Sequence, residues 1–284
     1  MKRILSLVAS IMVVISGISG AETIGSKSGT TTGEFLRIGV GARPVAMGEA
    51  FAAVAEDASA LYWNPAGIAR LSSRDLLVAH TLWYMDVSHD YLAYAQPLGK
   101  VGAIGISATY LMTSFDKRLG DTETPDSTGS VGDMALGLTY ARTLPWDVDG
   151  GFTLKYINSK LDTNSATSMA FDLGLRKQCP YWKNLAAAIA VTNMGGSLKY
   201  INDSVAIGNT LDLGLSLRDA GLKNLLVSTD YRSLINASAS SINAGAEYVW
   251  EVNNNISFGP RNVWFMIWLN YSESLYWPNF FIVF

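Results

Sequence analysis

Two histidines, one cysteine and a scatter of carboxylates are what this 284-residue chain offers for chemistry. His80 and His89 lie in or beside apolar stretches, with no cysteine or acidic cluster at ligand spacing, so neither points to a metal site or an imidazole-based catalyst. Cys179 is single, which excludes an internal disulfide framework and any multi-cysteine metal centre. Gly39, Gly41 and Gly48 invite a phosphate-loop reading. Their spacing fits neither G-x-G-x-x-G nor a P-loop with its Lys, and no strand and helix frame them. Glu56 and Asp57 are expected on a helix ahead of Asn64, either aiming charge inward near Arg37 or Arg43 or simply solvated. Asp133, Asp172, Arg176, Asp212, Arg218, Asp230, Arg232 and Glu247 all fall in polar alternating positions. An internal network of opposite charges suits them better than a catalytic pair, because an uncompensated buried charge is costly. With no Ser–His or paired-acid arrangement, the chain is not expected to be an enzyme, to hold a cofactor or to bind a metal.

The elements that must position these residues read as an exported β-protein. Met1, Lys2 and Arg3 precede an apolar run over residues 4–18, and Ser19, Gly20 and Ala21 place small residues where a signal peptidase reads them. Residues 1–21 are therefore expected to be a signal peptide, cleaved after Ala21. Hydrophobic residues make up 49% of the chain and charged ones only 16%, against roughly 25% charged in soluble domains. Beyond the leader no uninterrupted apolar stretch of about 18 residues could span a bilayer as a helix. A closed β-barrel satisfies both facts, since it pairs its backbone between strands while alternate side chains face lipid. The net charge of -3 predicts no nucleic-acid partner.

From about residue 75 to 250 the chain repeats segments of about ten residues with a period of two. Met134, Leu136, Leu138 and Tyr140 alternate with Asp133, Ala135, Gly137 and Thr139. Phe152, Leu154 and Tyr156 alternate with Thr153 and Lys155, and Phe171, Leu173 and Leu175 with Asp172, Gly174 and Arg176. Leu211, Leu213, Leu215 and Leu217 stand against Asp212, Gly214, Ser216 and Arg218, and Leu225, Val227 and Tyr231 against Ser228, Asp230 and Arg232. The second set is rich in Gly, Ala, Ser and Thr, which suits a narrow lumen, and the first suits lipid. Trp83, Tyr84, Tyr110, Tyr140, Trp146, Trp182, Tyr231, Tyr248 and Trp250 are candidates for interfacial girdles. Connections 97–100, 145–150, 179–183 and 219–223 are short; 113–132, 162–168, 195–208 and 234–240 are longer and polar. The long set, with 113–130 foremost, is expected on the outer face.

Ahead of this array, residues 52–61 form an Ala-rich stretch expected to be helical. Asn64 and Pro65 should end that helix, with Gly67 allowing a tight turn. The stretch from Phe35 to Gly48, Glu56-Asp57-Ala58, and Leu61-Tyr62-Trp63-Asn64-Pro65-Ala66-Gly67 together resemble the start of PorV/PorQ family outer-membrane proteins. More distantly they resemble FadL-like fatty-acid transporters. The resemblance implies a barrel, of 14 strands in the better-known relatives, with an amino-terminal helical plug. In FadL-like proteins the plug gates passage of a hydrophobic ligand; in PorV-like proteins the barrel serves type IX secretion. Residues carried into the plug motif are Gly39, Gly41, Arg43, Gly48, Asp57, Asn64, Pro65 and Gly67.

The reading is thus an all-β protein: a transmembrane antiparallel β-barrel of about 12–14 strands. Residues 22–71 are an extension and helical plug, and 72–284 the barrel in the outer membrane. Expected partners are outer-membrane lipid and either a hydrophobic ligand in the lumen or secretion-system proteins. An outer-membrane enzyme or a purely structural barrel is the alternative. Over residues 255–284 the small alternating set is missing. Phe284 is either a barrel-assembly signal or the accidental end of a replaced or truncated tail.

Overall fold

A computed structural model describes residues 30–82, 86–121, 123–182, 184–237, 239–251, 262–272 and 282–283, the last two stretches and residues 250–251 by backbone alone. The expected signal peptide, the start of the expected extension and most of 252–284 lie outside the described residues, as do Trp83, Tyr84 and the Trp250 side chain.

The period-two segments form strands in chain order. They are β1 (Asp75–Leu82), β2 (Ser88–Pro97), β3 (Ala103–Lys117), β4 (Ser127–Leu144), β5 (Val148–Leu161), β6 (Asn164–Gln178) and β7 (Leu185–Met194). After these come β8 (Ser197–Lys199), β9 (Ser204–Ala206), β10 (Thr210–Arg218), β11 (Leu225–Leu234), β12 (Ala239–Glu251), β13 (Asn262–Ser272) and β14 (Ile282–Val283). All but β8 and β9 join one 12-stranded sheet in sequence order, antiparallel throughout, and β8–β9 is a separate hairpin inserted between β7 and β10. Ten of these strands precede residue 252. This antiparallel sheet of sequence neighbours is what the segment count predicts.

The sheet is apolar on its outside. On β4, Leu136 and Leu138 are 46% and 59% exposed while Ala135 and Thr139 between and beside them are buried. The same holds on β6, where Leu173 and Leu175 are exposed and Asp172 is buried, and on β10, where Leu213 and Leu215 are exposed and Asp212 and Ser216 are buried. A water-soluble sheet hides the leucines and shows the aspartates; here the assignment is reversed.

What buries the polar face is the amino-terminal segment. Ala58 N donates to Asp75 of β1, Asn64 reaches Leu175 O of β6, Ala52 N donates to Asp230 of β11, and Arg43 binds Glu247 of β12. β1 and β12 stand nine positions apart in the sheet order, about 43 Å if the sheet were flat. Yet Asp75 and Glu247 are linked through Ala58, Asp57 and Arg43, the latter two 3.6 Å apart. The sheet therefore curls around the segment.

Several expectations change. Residues 52–59 are turns rather than helix, and only Ala60–Trp63 is helical there, alongside a short helix at Ala42–Ala46 and 3-10 turns at Glu34–Arg37 and Pro65–Arg70. Alanine propensity is overridden because the wall satisfies this backbone: Arg176 Nε and Ser216 Oγ donate to Ala53 O, and Asp230 accepts from Ala52 N. The expected long loop 113–132 is mostly paired, Thr113 with Val131 and Lys117 with Ser127, so only 118–126 connect β3 to β4. The expected loop 162–168 shrinks to two residues between Leu161 and Asn164, with Asp162 in a left-handed conformation (φ 56°). Thr, Ser and Gly in those strand ends hide the pattern that marks the strand middles. Segment 195–208 folds inward, burying Leu198 and Ile207 against Phe35 and Leu36.

Candidate functional site

The site is the interior between this segment and the wall. At the short-turn end of the strands, Asn64 and Pro65 sit on a glycine floor. Gly151 of β5 and Gly174 of β6 are paired directly. A Cβ on Gly151 would lie 2.3 Å from Pro65 C, and one on Gly174 2.0 Å from Asn64 Oδ1. Asn64 is fully buried and saturates its amide: Oδ1 accepts from Ala66 N, and Nδ2 donates to Ala52 O at 2.9 Å and to Leu175 O at 3.4 Å. Its extended backbone (φ -162°, ψ 106°) ends helix Ala60–Trp63, and Pro65 opens the next turn, where its missing N–H costs nothing. Gly67 is needed for close approach rather than for a tight turn, since a Cβ there would stand 2.3 Å from Ala55 O.

Of the other motif residues, Gly41 and Gly48 take left-handed conformations (φ 84° and 63°) on either side of helix Ala42–Ala46. Gly39 admits the Glu49 carboxylate, which a Cβ would meet at 2.5 Å. Arg43 grips Glu247 with Nε and Nη2 at 3.0–3.2 Å, approaches Asp57, and lies over the Phe51 ring at 5.2 Å. Asp57 also accepts from Ser59 N and Ser59 Oγ. Glu56 is on no helix; it pairs with Arg218 at 2.6 Å, and Arg37 pairs with Glu34 rather than with Glu56 or Asp57.

The eight inward charges meet the segment more than one another. Arg232 binds Asp212 at 2.7 Å, and this is the one ion pair joining two of them among the described residues. Its other nitrogen reaches Glu49, and its guanidinium lies 5.2 Å over Trp63. Asp172 is instead held by Lys155 at 2.8 Å, and it also accepts from Asn193 N at a bulge between β6 and β7. Asp133 accepts from Ser159 Oγ. The Arg70 pair with Asp147 and Asp149, at 2.6 and 2.7 Å, was not foreseen because Asp149 reads as turn. Both hydrogen bonds raise the Arg70 pKa, and burial followed by the nearby Glu49 charge pushes the Tyr62 phenol up, so it stays neutral.

Toward the other end two cavities flank the segment, of about 510 and 590 Å³, sharing Thr31, Glu34 and Arg37. The first has an apolar side from Leu36, Tyr62, Trp63 and Leu234, and cations from Arg37, Lys155 and Arg232. The second collects Glu34, Glu49 and Asp133 with Ser159 and Tyr200.

His80 points outward and holds Asp90 at 2.5 Å, whereas His89 is buried on the opposite face, so the two cannot act together. Among the described residues no group of three or more His, Cys, Asp or Glu could hold a metal ion, and no helix is long and apolar enough to cross a membrane. A family model for the Uncharacterised protein family (UPF0164) matches residues 9–248, and the chain belongs to that family. No curated protein matches it.

Proposed function

We propose that this UPF0164 protein is an outer-membrane β-barrel whose lumen is filled by residues 34–71, a plug that gates passage of a hydrophobic small molecule. The outward apolar band supports the membrane half of this reading. On β3 it runs from Ile104 to Met112 on one face; the eight rises between them at about 3.4 Å, tilted by about 40°, give roughly 21 Å of height, near the 25 Å band of such barrels. β1 and β14 would then close the wall.

The cavity beside Tyr62 and Trp63 supports passage most directly. At about 510 Å³ it is large enough for a small ligand, and its apolar side from Leu36, Tyr62, Trp63 and Leu234 suits a hydrophobic molecule, the cations on its lining being already paired with Glu34, Asp172, Asp212 and Glu49. The similarity to FadL-like proteins points the same way. Protein purified from native membranes should retain such a molecule, identifiable by mass spectrometry. Vesicles carrying the protein should take up a hydrophobic probe faster than empty ones, and equal rates would refute passage.

A second, PorV-like reading, a barrel that stays sealed and serves a secretion system, draws on the ion pairs that fix the plug to β5, β10, β11 and β12. Its mark would be co-purification with secreted proteins or a translocon, and no retained ligand.

A further inference from the structure

The β4–β5 turn, at the short-turn end of the strands, presents a large aromatic side chain to the outside. Trp146 and Asp147 both take left-handed conformations (φ 62° and 59°), uncommon for any residue with a side chain and least expected of a bulky one. The turn is held there by Arg70, whose guanidinium binds Asp147 at 2.6 Å and Asp149 at 2.7 Å. The result is an indole that packs on nothing: Trp146 is 86% exposed. The neighbouring turn between β6 and β7 likewise holds Tyr181 and Trp182 out, at 91% and 70% exposed.

Two cations flank this indole on the outer face. Arg142 follows Leu138 and Tyr140 in the outward set of β4, and Lys177 follows Leu173 and Leu175 in that of β6. Arg142 lies opposite Gly150 and Lys177 opposite Val148, on the two sides of β5. Two strand spacings, about 10 Å, separate them laterally, a gap that two long flexible side chains can close around one group. Both are exposed, and neither has an ion-pair partner among the described residues. They sit where the apolar band ends.

We propose that Arg142, Lys177 and Trp146 form a binding site for the headgroup of an anionic glycerophospholipid, with the phosphate between the two cations and the indole on its outer, headgroup side, past the ends of the strands. Trp is favoured at that depth, a guanidinium and an ammonium are the phosphate binders of choice, and charge complementarity selects an anionic over a zwitterionic lipid. Arg70 is then a positioning residue: its ion pair fixes the turn that presents Trp146. The inference rests on the membrane reading above, with the short turns facing the phospholipid leaflet.

Native mass spectrometry of the full-length protein in detergent, titrated with phosphatidylglycerol or phosphatidylcholine, tests it. The wild type should bind phosphatidylglycerol about tenfold tighter, two basic side chains near the headgroup being sufficient for that. Arg142→Gln with Lys177→Gln should bring the two lipids within about twofold of each other, while Arg142→Lys with Lys177→Arg keeps the preference. Lys160→Gln, near the far end of β5, should change nothing. A wild type without preference, or a double variant that retains it, overturns the inference alone. Failure of the wild type to insert into vesicles of either composition overturns the barrel reading and this inference with it.

Discussion

Substituting Gly151 by alanine asks whether residues 64 and 65 are seated on the sheet as described. Gly151 lies inside β5 with no positive φ, so alanine would ordinarily be neutral or stabilising by about 0.4–1 kcal/mol through the unfolded state. Here the added Cβ falls 2.3 Å from Pro65 C and 2.4 Å from Pro65 O. Ordinary contact begins near 3.4 Å, so the Asn64–Pro65 backbone must retreat by about 1 Å in a fully packed layer, at a cost of about 1–3 kcal/mol. That loss falls on the packing of the amino-terminal segment rather than on strand pairing. The population with this segment detached from the sheet should rise about 5- to 150-fold, read as faster hydrogen exchange of amides over residues 52–67 while β4 and β5 stay protected. Gly132→Ala is the matched control: its Cβ would meet nothing nearer than Tyr110 Oη at 3.7 Å, so exchange should not change. Gly151→Ala indistinguishable from Gly132→Ala would refute the seating of Asn64 and Pro65 on β5 and β6.

Glu247→Ala takes from Arg43 its bidentate partner but leaves it Asp57 at 3.6 Å, and should destabilise the fold by about 1–3 kcal/mol, seen as a lowered unfolding temperature. Asn64→Ala removes the donor to Ala52 O and the acceptor of Ala66 N in a buried site. It should cost about 1–3 kcal/mol, and the same exchange experiment would show it. Leu138→Arg places a charge in the outward band and should cost about 2–4 kcal/mol in bilayer-embedded protein, measurable from urea unfolding in vesicles. A soluble sheet would tolerate that substitution, so an unchanged midpoint argues against a lipid-facing β4.

The wall was legible from sequence because its rule is local: a period of two with leucine on one side and Gly, Ala, Ser or Thr on the other fixes both strand and face. Tight hairpins were less so. Asn164, Ser165 and Thr167 read as loop, yet they pair with Leu161, Lys160 and Asn158 once β5 supplies an edge. The amino-terminal segment was legible as a motif but not as a conformation. Ala52 and Ala53 signal helix by propensity, while their actual use, close approach to a wall that hydrogen-bonds their backbone, depends on residues more than a hundred positions away. For the same reason the charge network could be expected but not paired: Arg43 and Glu247, or Arg70 and Asp149, have no shared pattern until the sheet curls.

The segment that fills the interior also traverses it. Thr32 bridges Ile207 beside the β8–β9 hairpin, at one end of the strands, while Arg70 is anchored at the β4–β5 turn, at the other. The wall is built from neighbours in sequence and can zip hairpin by hairpin. The first-synthesised part of the fold has no such partners: Arg43 waits for Glu247, 204 residues later, and Ala52 for Asp230, 178 residues later. Loop closure of that length makes these contacts slow to form. Interior filling should therefore be the last step of assembly although its residues are made first, and each wall strand must be laid down around a thread that stays inside.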